Sequence, residues 1–208
     1  MFPWSEFFMV NIGVFGFSTL TAYIICNIYN QPFINPKYST DVITTRIKDG
    51  TTTIVSVLTN TFVTTSFFIE KIVAVKDHTW LQTGINICTY TACIELLYYV
   101  YHRGVHSHPF LYILIHKKHH ANHDVYPFDT FYLTTFDSIG LIMSLGLPLT
   151  FLSVSYFELN TVLYIYLTSS YLAHSKLFYD HHHIHHSLID YNYCIFLPVF
   201  DMLFQTYR

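Results

Sequence analysis

Phe7 to Tyr29 reads FFMVNIGVFGFSTLTAYIICNIY, inside a longer run, Phe7 to Pro36, that contains no Asp, Glu, Lys or Arg. A helix crossing a hydrocarbon core of about 30 Å needs about 20 mostly apolar residues, so this stretch is long enough to span. Further charge-free runs extend from Gly50 to Ile69, from His78 to Ile94 and from Ser138 to Phe157. Only 11% of the 208 residues are charged, while 52% are hydrophobic and 19% aromatic. A soluble domain carries roughly 25% charged residues, so the balance points to a membrane protein. The runs predict helices at 6–29, 52–75 and 79–101, then a hairpin of helices at 138–157 and 160–175. The expected fold is an all-α integral membrane protein with four to five transmembrane helices and a cytosolic histidine-rich helical cap.

Two of these helices carry a tension. The second holds seven Thr between Thr51 and Thr65, a composition that favours strand in water, although Thr hydroxyls can bond the preceding helical turn in lipid. The last has only 15 residues between Glu158 and His174, and at 1.5 Å per residue it covers roughly 22 Å. The N-terminal run, led by Met1 to Glu6, has no basic flank or small-residue cleavage site and reads as a retained anchor. On this topology Lys37, Arg46, Lys48, Arg103, Lys117, Lys118, Lys176 and Arg208 share one side, with Lys71 and Lys76 on the other. The positive-inside bias makes the richer side the cytosol. A net charge of −3 and no basic run give no footing for nucleic acid. Cys26, Cys88, Cys93 and Cys194 form no Cys-x-x-Cys pair and read as packing residues.

Thirteen of the fourteen histidines fall in two segments, 102–137 and 174–208, which the topology places on the same face. They form three clusters: His102 with His106; His116 with His119 and His120; and His182 with His185 and His186. Spacings of three and four put side chains on one helical face, about 5–6 Å apart at Cβ, close enough to share a metal ion. Eight imidazoles exceed what one zinc ion takes, so two ions fit better. Imidazole suits zinc, copper, iron and nickel alike, so ligand type does not name the metal. His174 and His123 extend the candidate ligand set. His108, His181 and His183 read as supporting or exposed residues, and His78, in the opposite loop, as structural.

Laid out this way, the chain resembles the fatty acid hydroxylase/sterol desaturase superfamily from about Glu95 to Thr206. The resemblance is carried by three histidine boxes in order, by Glu95, Tyr98 and Tyr99 before His102-Arg103, and by Asn192-Tyr193 and Asp201 to Thr206 after the third box. It implies a catalytic region at 79–208 behind N-terminal transmembrane helices at 1–78, the whole forming one structural unit. It also implies two iron ions (Fe2+/Fe3+) held by the box histidines, with His174 often added. Electrons would come from a separate cytochrome b5 or similar donor with its reductase. Departures are Val100 where Trp is frequent, Cys194 where Gly commonly follows Asn-Tyr, Phe200 where Trp often precedes the Asp, and Gln205 where Gly precedes the last Thr. Thr134-Thr135-Phe136-Asp137 stands where many members carry a His-Pro-x-Glu-like element, which puts one ligand or support in doubt.

The expected activity is O2-dependent hydroxylation or desaturation of a sterol or fatty-acyl C–H bond, with the box histidines as the reactive centre and an apolar channel excluding water. Membrane lipids would surround the chain, and the family points to the endoplasmic reticulum. Glu95, Asp180 and Asp201 are expected to accept the distal N–H groups of the ligand imidazoles. Two other readings remain open on spacing alone: a dizinc membrane hydrolase, and a metal-binding membrane protein without turnover.

Overall fold

The computed structural model describes residues 4–75, 78–178 and 180–208, with the backbone alone at Trp4 and Ser5. Lys76, expected on the far side, and Met1 to Pro3, the lead of the anchor, lie outside the described residues. Three of the four charge-free runs become long helices: α1 (Trp4–Ile28), α2 (Thr40–Ala74) and α3 (Trp80–Ser107). After α3 come a short α4 (Pro109–Leu111), α5 (Thr135–Gly146), α6 (Tyr156–Ala173), α7 (His181–Leu188) and α8 (Val199–Leu203). No strand occurs among the described residues. The parts of α1 and α2 at Glu6–Ile28 and Thr40–Ala74 are long and apolar enough to cross a membrane.

Helix boundaries follow capping chemistry more closely than charge. The second helix begins at Thr40, not at residue 52, because Ser39 accepts a hydrogen bond from the Val42 N–H and Asp41 lies in the first turn. At 1.5 Å per residue its 35 residues reach about 52 Å, longer than a hydrocarbon core, so its charged first turns extend beyond the apolar stretch. There Arg46 pairs with Asp129 and Lys118 with Asp49. The threonines of α2 are compatible with helix because their hydroxyls bond carbonyls four residues back, as Thr51 does to Ile47 and Thr53 to Asp49. The third helix runs past residue 101 to Ser107 and stops where Pro109 follows His108. In the hairpin the break lies at 151–155. Thr134 caps α5, and Ser155 with Glu158 forms a capping box that starts α6 ahead of residue 160.

α1 packs on α6, α2 on α5, and α3 against both α5 and α6. Ile94, Tyr98, Ile142, Leu159, Val162 and Tyr166 form the centre of the core. The outer surface is also apolar, with Met9, Phe17, Phe67 and Trp80 exposed, as suits helices facing lipid. The C-terminal ends of α3 and α6 and the first turn of α5 lie at one end of the bundle, and the histidine segments cover that end.

Candidate metal centre

His102 and His106 occupy the last two turns of α3, one turn apart on one face. His116 closes a π turn, Tyr112–His116, in which the Lys117 N–H bonds the Tyr112 carbonyl five residues back at 2.8 Å. The extra residue of such a turn shifts the side chains beyond it, and π turns recur at functional sites. His119 and His120 stand on a 3₁₀ turn, His174 caps the end of α6, and His182, His185 and His186 share α7. Among the described residues these side chains fall into two groups: His102, His106, His116, His120 and His185, and His119, His174, His182 and His186. Within each group the potential ligand atoms lie within 4.8 Å of one another. Nine of the ten candidate ligands are therefore brought together, and each group draws on elements more than fifty residues apart.

The hydrogen bonds at the backs of the rings decide whether metal fits. His102 Nδ1 donates to the Tyr193 carbonyl at 2.7 Å, and His116 Nδ1 to Asp137 Oδ2 at 2.7 Å. His174 Nδ1 donates to the Ser170 carbonyl at 2.7 Å, and His185 Nδ1 to the Tyr191 carbonyl at 2.6 Å. A neutral ring that donates from Nδ1 has only a lone pair at Nε2. Yet His102 Nε2 and His116 Nε2 face each other at 3.0 Å. The Nε2 atoms of His174 and His119, and of His185 and His120, also meet at 3.1 Å, but His119 and His120 have no Nδ1 partner among the described residues and can donate from Nε2 there. The facing lone pairs of His102 and His116 need a cation between them.

A metal–imidazole bond of about 2.1 Å puts neighbouring ligand nitrogens about 3.0 Å apart at a right angle and about 3.4 Å apart at a tetrahedral angle. Both ring nitrogens of His106, His182 and His186 are also buried without a protein partner. A proton is a poor substitute for metal here. Burial, reinforced by neighbouring imidazoles, holds His119, His182, His185 and His186 well below the usual histidine value, and burial takes His174 down to about 4. The rings are neutral at neutral pH, which is the form that ligates metal. The donor set fits metal binding in both groups.

The acidic supports differ from those expected. Glu95, Asp180 and Asp201 bond none of the ligand rings. Glu95 Oε1 accepts the backbone N–H groups of Ile195 and Phe196 at 2.7 and 3.0 Å. Asp201 accepts those of Tyr193 and Cys194 at 2.8 and 2.7 Å, plus the Thr206 hydroxyl at 2.7 Å. These two acids fix the loop whose Tyr193 carbonyl holds His102, acting one step behind the ligands because the carbonyl already takes the imidazole proton. Asp180 is exposed at the start of α7 and makes no capping bond. The carboxylate that does meet a candidate ligand ring is Asp137, the last residue of the Thr134-Thr135-Phe136-Asp137 stretch that stands where many family members carry a His-Pro-x-Glu-like element.

The remaining histidines lie outside both groups. His123 Nδ1 donates to the His186 carbonyl at 2.9 Å, which makes it a support of α7 in this structure. His181 is buried and His183 half-buried on α7, and His108 is exposed. His78 bonds Glu158 at 2.8 Å at the opposite end of the bundle.

A narrow apolar cavity runs between the helices toward the histidines. Val14 and Phe15 of α1, Leu58 of α2, Leu141 of α5 and Leu163 and Leu167 of α6 line its body, and His116, His119, His174 and Asp137 line its polar part. The arrangement can expose an apolar molecule to metal held by either group.

The family described as fatty acid hydroxylase matches residues 87–206, which include all three histidine clusters and the loop that supports them. CER1-like 2 of Arabidopsis thaliana is 26% identical over 155 residues, covering 61% of this chain and 25% of that protein. The very-long-chain aldehyde decarbonylase GL1-4 of Oryza sativa, in subspecies indica and japonica, is 26% identical over 155 residues, covering 61% of this chain and 24% of its own length. The chain thus spans about a quarter of the length of the curated relatives it matches. No solved structure matches significantly. With its three clusters inside the matched region and gathered into two metal-fitting groups, the chain belongs to the fatty acid hydroxylase family.

Proposed function

We propose that this chain is a membrane-bound non-haem di-iron oxidoreductase that hydroxylates or desaturates a lipid C–H bond with O2 and electrons from an external donor. The observation that carries the reading is the pair of all-histidine groups at the polar end of an apolar cavity. His102, His106, His116, His120 and His185 would hold one iron, and His119, His174, His182 and His186 the other. Iron supplies what no side chain can, the activation of O2 toward an unactivated C–H bond. The chain's own residues do the rest. Tyr193, Tyr191, Ser170 and Asp137 fix four rings in the ligating tautomer, and the apolar walls orient the lipid and keep water from it.

A sterol or a fatty-acyl chain both suit walls of this character. The relatives named as very-long-chain aldehyde decarbonylases favour the acyl class. Electrons would come from cytochrome b5 or a similar donor with its reductase. We place α3 and the α5–α6 hairpin in the bilayer beside α1 and α2, giving four to five spans in the endoplasmic reticulum, with the histidine cap in the cytosol. Region 79–208 is then the catalytic part, and the helices of 1–78 close its cavity.

Elemental analysis of the detergent-purified chain beside a His119→Ala/His120→Ala variant tests the reading. Close to two irons per chain, diminished in the variant, and 18O or a new double bond in lipid products under 18O2 are the expected results. Two zinc ions in protein never exposed to excess zinc would favour the hydrolase instead, and iron-replete protein without bound metal would end both enzyme readings.

A further inference from the structure

The two histidine groups differ in what stands behind them. In the five-histidine group three rings are anchored through Nδ1: His102 on the Tyr193 carbonyl, His185 on the Tyr191 carbonyl and His116 on a carboxylate. In the four-histidine group, among the described residues, only His174 is anchored, on the Ser170 carbonyl. His119 Nδ1 and both nitrogens of His182 and His186 are buried without a protein partner. Among the described residues no carboxylate bonds a ring in that second group.

The carboxylate is itself held. Asp137 is 4% exposed, and its Oδ1 accepts the Tyr101 hydroxyl at 2.8 Å while Oδ2 accepts from His116 Nδ1 at 2.7 Å. The Asp137 N–H is fixed by the Thr134 hydroxyl that caps α5. The Tyr101 ring rests on Gly140, one turn further along α5, where a Cβ would overlap the ring. Tyr101 lies on α3, one residue before the first ligand of the group that its hydroxyl supports. A carboxylate on the distal N–H raises the basicity of the ligating nitrogen and fixes the ring's orientation, and removing such a partner typically costs about 10- to 100-fold in metal affinity.

We propose that Asp137, held by Tyr101, makes the five-histidine group a tight, retained metal position, while the four-histidine group is a weaker, exchangeable one. The inference rests on the dinuclear reading of the site. Asp137 is a positioning residue in this account: it acts through His116.

The test is metal release from the iron-loaded full chain in detergent, without O2, into an excess of a chromogenic Fe2+ chelator. Wild type should release two irons in two phases of one ion each, separated at least about tenfold in rate. Asp137→Asn should accelerate the slow phase about 10- to 100-fold and leave the fast phase unchanged, the unchanged phase also reporting that the variant is folded. Tyr101→Phe should accelerate the same phase by a smaller factor, and His182→Ala should remove only the fast-released ion. Release of both irons in a single phase, or acceleration of the fast phase by Asp137→Asn, would overturn the proposal while leaving the dinuclear reading intact. A loaded wild type that holds one iron or none by elemental analysis before release would instead end the dinuclear reading.

Discussion

Asp201 is wholly buried and touches no ligand ring, yet three donors converge on it: the Tyr193 and Cys194 N–H groups and the Thr206 hydroxyl. Asp201→Asn keeps the shape but turns an acceptor into an NH2 that faces a donor. Leaving a buried donor unpaired costs about 1–3 kcal/mol, so thermal unfolding in detergent should show a lowered midpoint. The metal content should fall with it, because the same loop presents the Tyr193 carbonyl to His102. A neighbouring residue should behave oppositely. Gln205 adopts a left-handed backbone with φ 59° where the resembling family has Gly, and its side chain is exposed. Gln205→Gly should stabilise by about 0.5–1 kcal/mol, the relief of the Cβ clash outweighing glycine's entropy, and should be seen as a raised unfolding midpoint with unchanged metal. At this scale the histidine clusters were legible in the sequence because three-and-four spacing is a property of the helix itself, and the structure gathers nine of the ten candidate ligands into two groups. Their supports were not. Asp137 meets His116 only because α5 packs on the π turn that carries His116, and Glu95 and Asp201 turn to a loop whose path no local pattern records.

Helices of this chain end where caps and prolines end them, and the sequence showed the existence of each long helix more clearly than its limits. Charge-free runs located α1, α2 and α3, but charge is a poor boundary when a helix continues out of the apolar layer. The first turns of α2 carry Asp41, Arg46, Lys48 and Asp49 and still form helix, with Arg46 buried against Asp129 and lying over the Tyr132 ring at 4.2 Å. The hairpin break was misplaced because Glu158 looks like a loop charge, whereas its carboxylate accepts the Ser155 N–H and begins α6. Ser155→Ala should therefore cost about 1 kcal/mol, read as a lower unfolding midpoint. α3 approaches α5 closely at Gly140, where the Tyr101 ring fills the space a side chain would need. Gly140→Ala should destabilise by about 1–3 kcal/mol through overpacking. Because Tyr101 must move, it should also speed iron release in the same direction as Tyr101→Phe, a pairing that general loosening of the α3–α5 contact would not produce.

Across the whole molecule, the family match begins at residue 87, yet the cavity extends beyond the matched residues. Asn11, Val14 and Phe15 of α1 and Val57, Leu58 and Thr61 of α2 face the same space as Leu163 and Leu167 of α6. Helices that look like plain anchors in the sequence are thus walls of the site, a role that composition could not reveal because a lipid-facing leucine and a cavity-facing one are the same residue. This gives the N-terminal helices a function separable from metal binding, since none of the nine clustered histidines lies on them. Leu58→Trp adds a large ring to the cavity wall from α2, where the side chain is half-buried and has open space before it. Overpacking should cost about 1–3 kcal/mol at most, and both irons should remain because the histidine cap is untouched. On the proposed reading, turnover of long-chain or sterol lipids should fall at least about tenfold, with shorter chains affected less. Elemental analysis and product assays on one preparation separate the two effects. Iron lost together with turnover would mean that α2 supports the fold of the cap, whereas iron retained with long-chain turnover unchanged would mean that the lipid reaches the metal by another route.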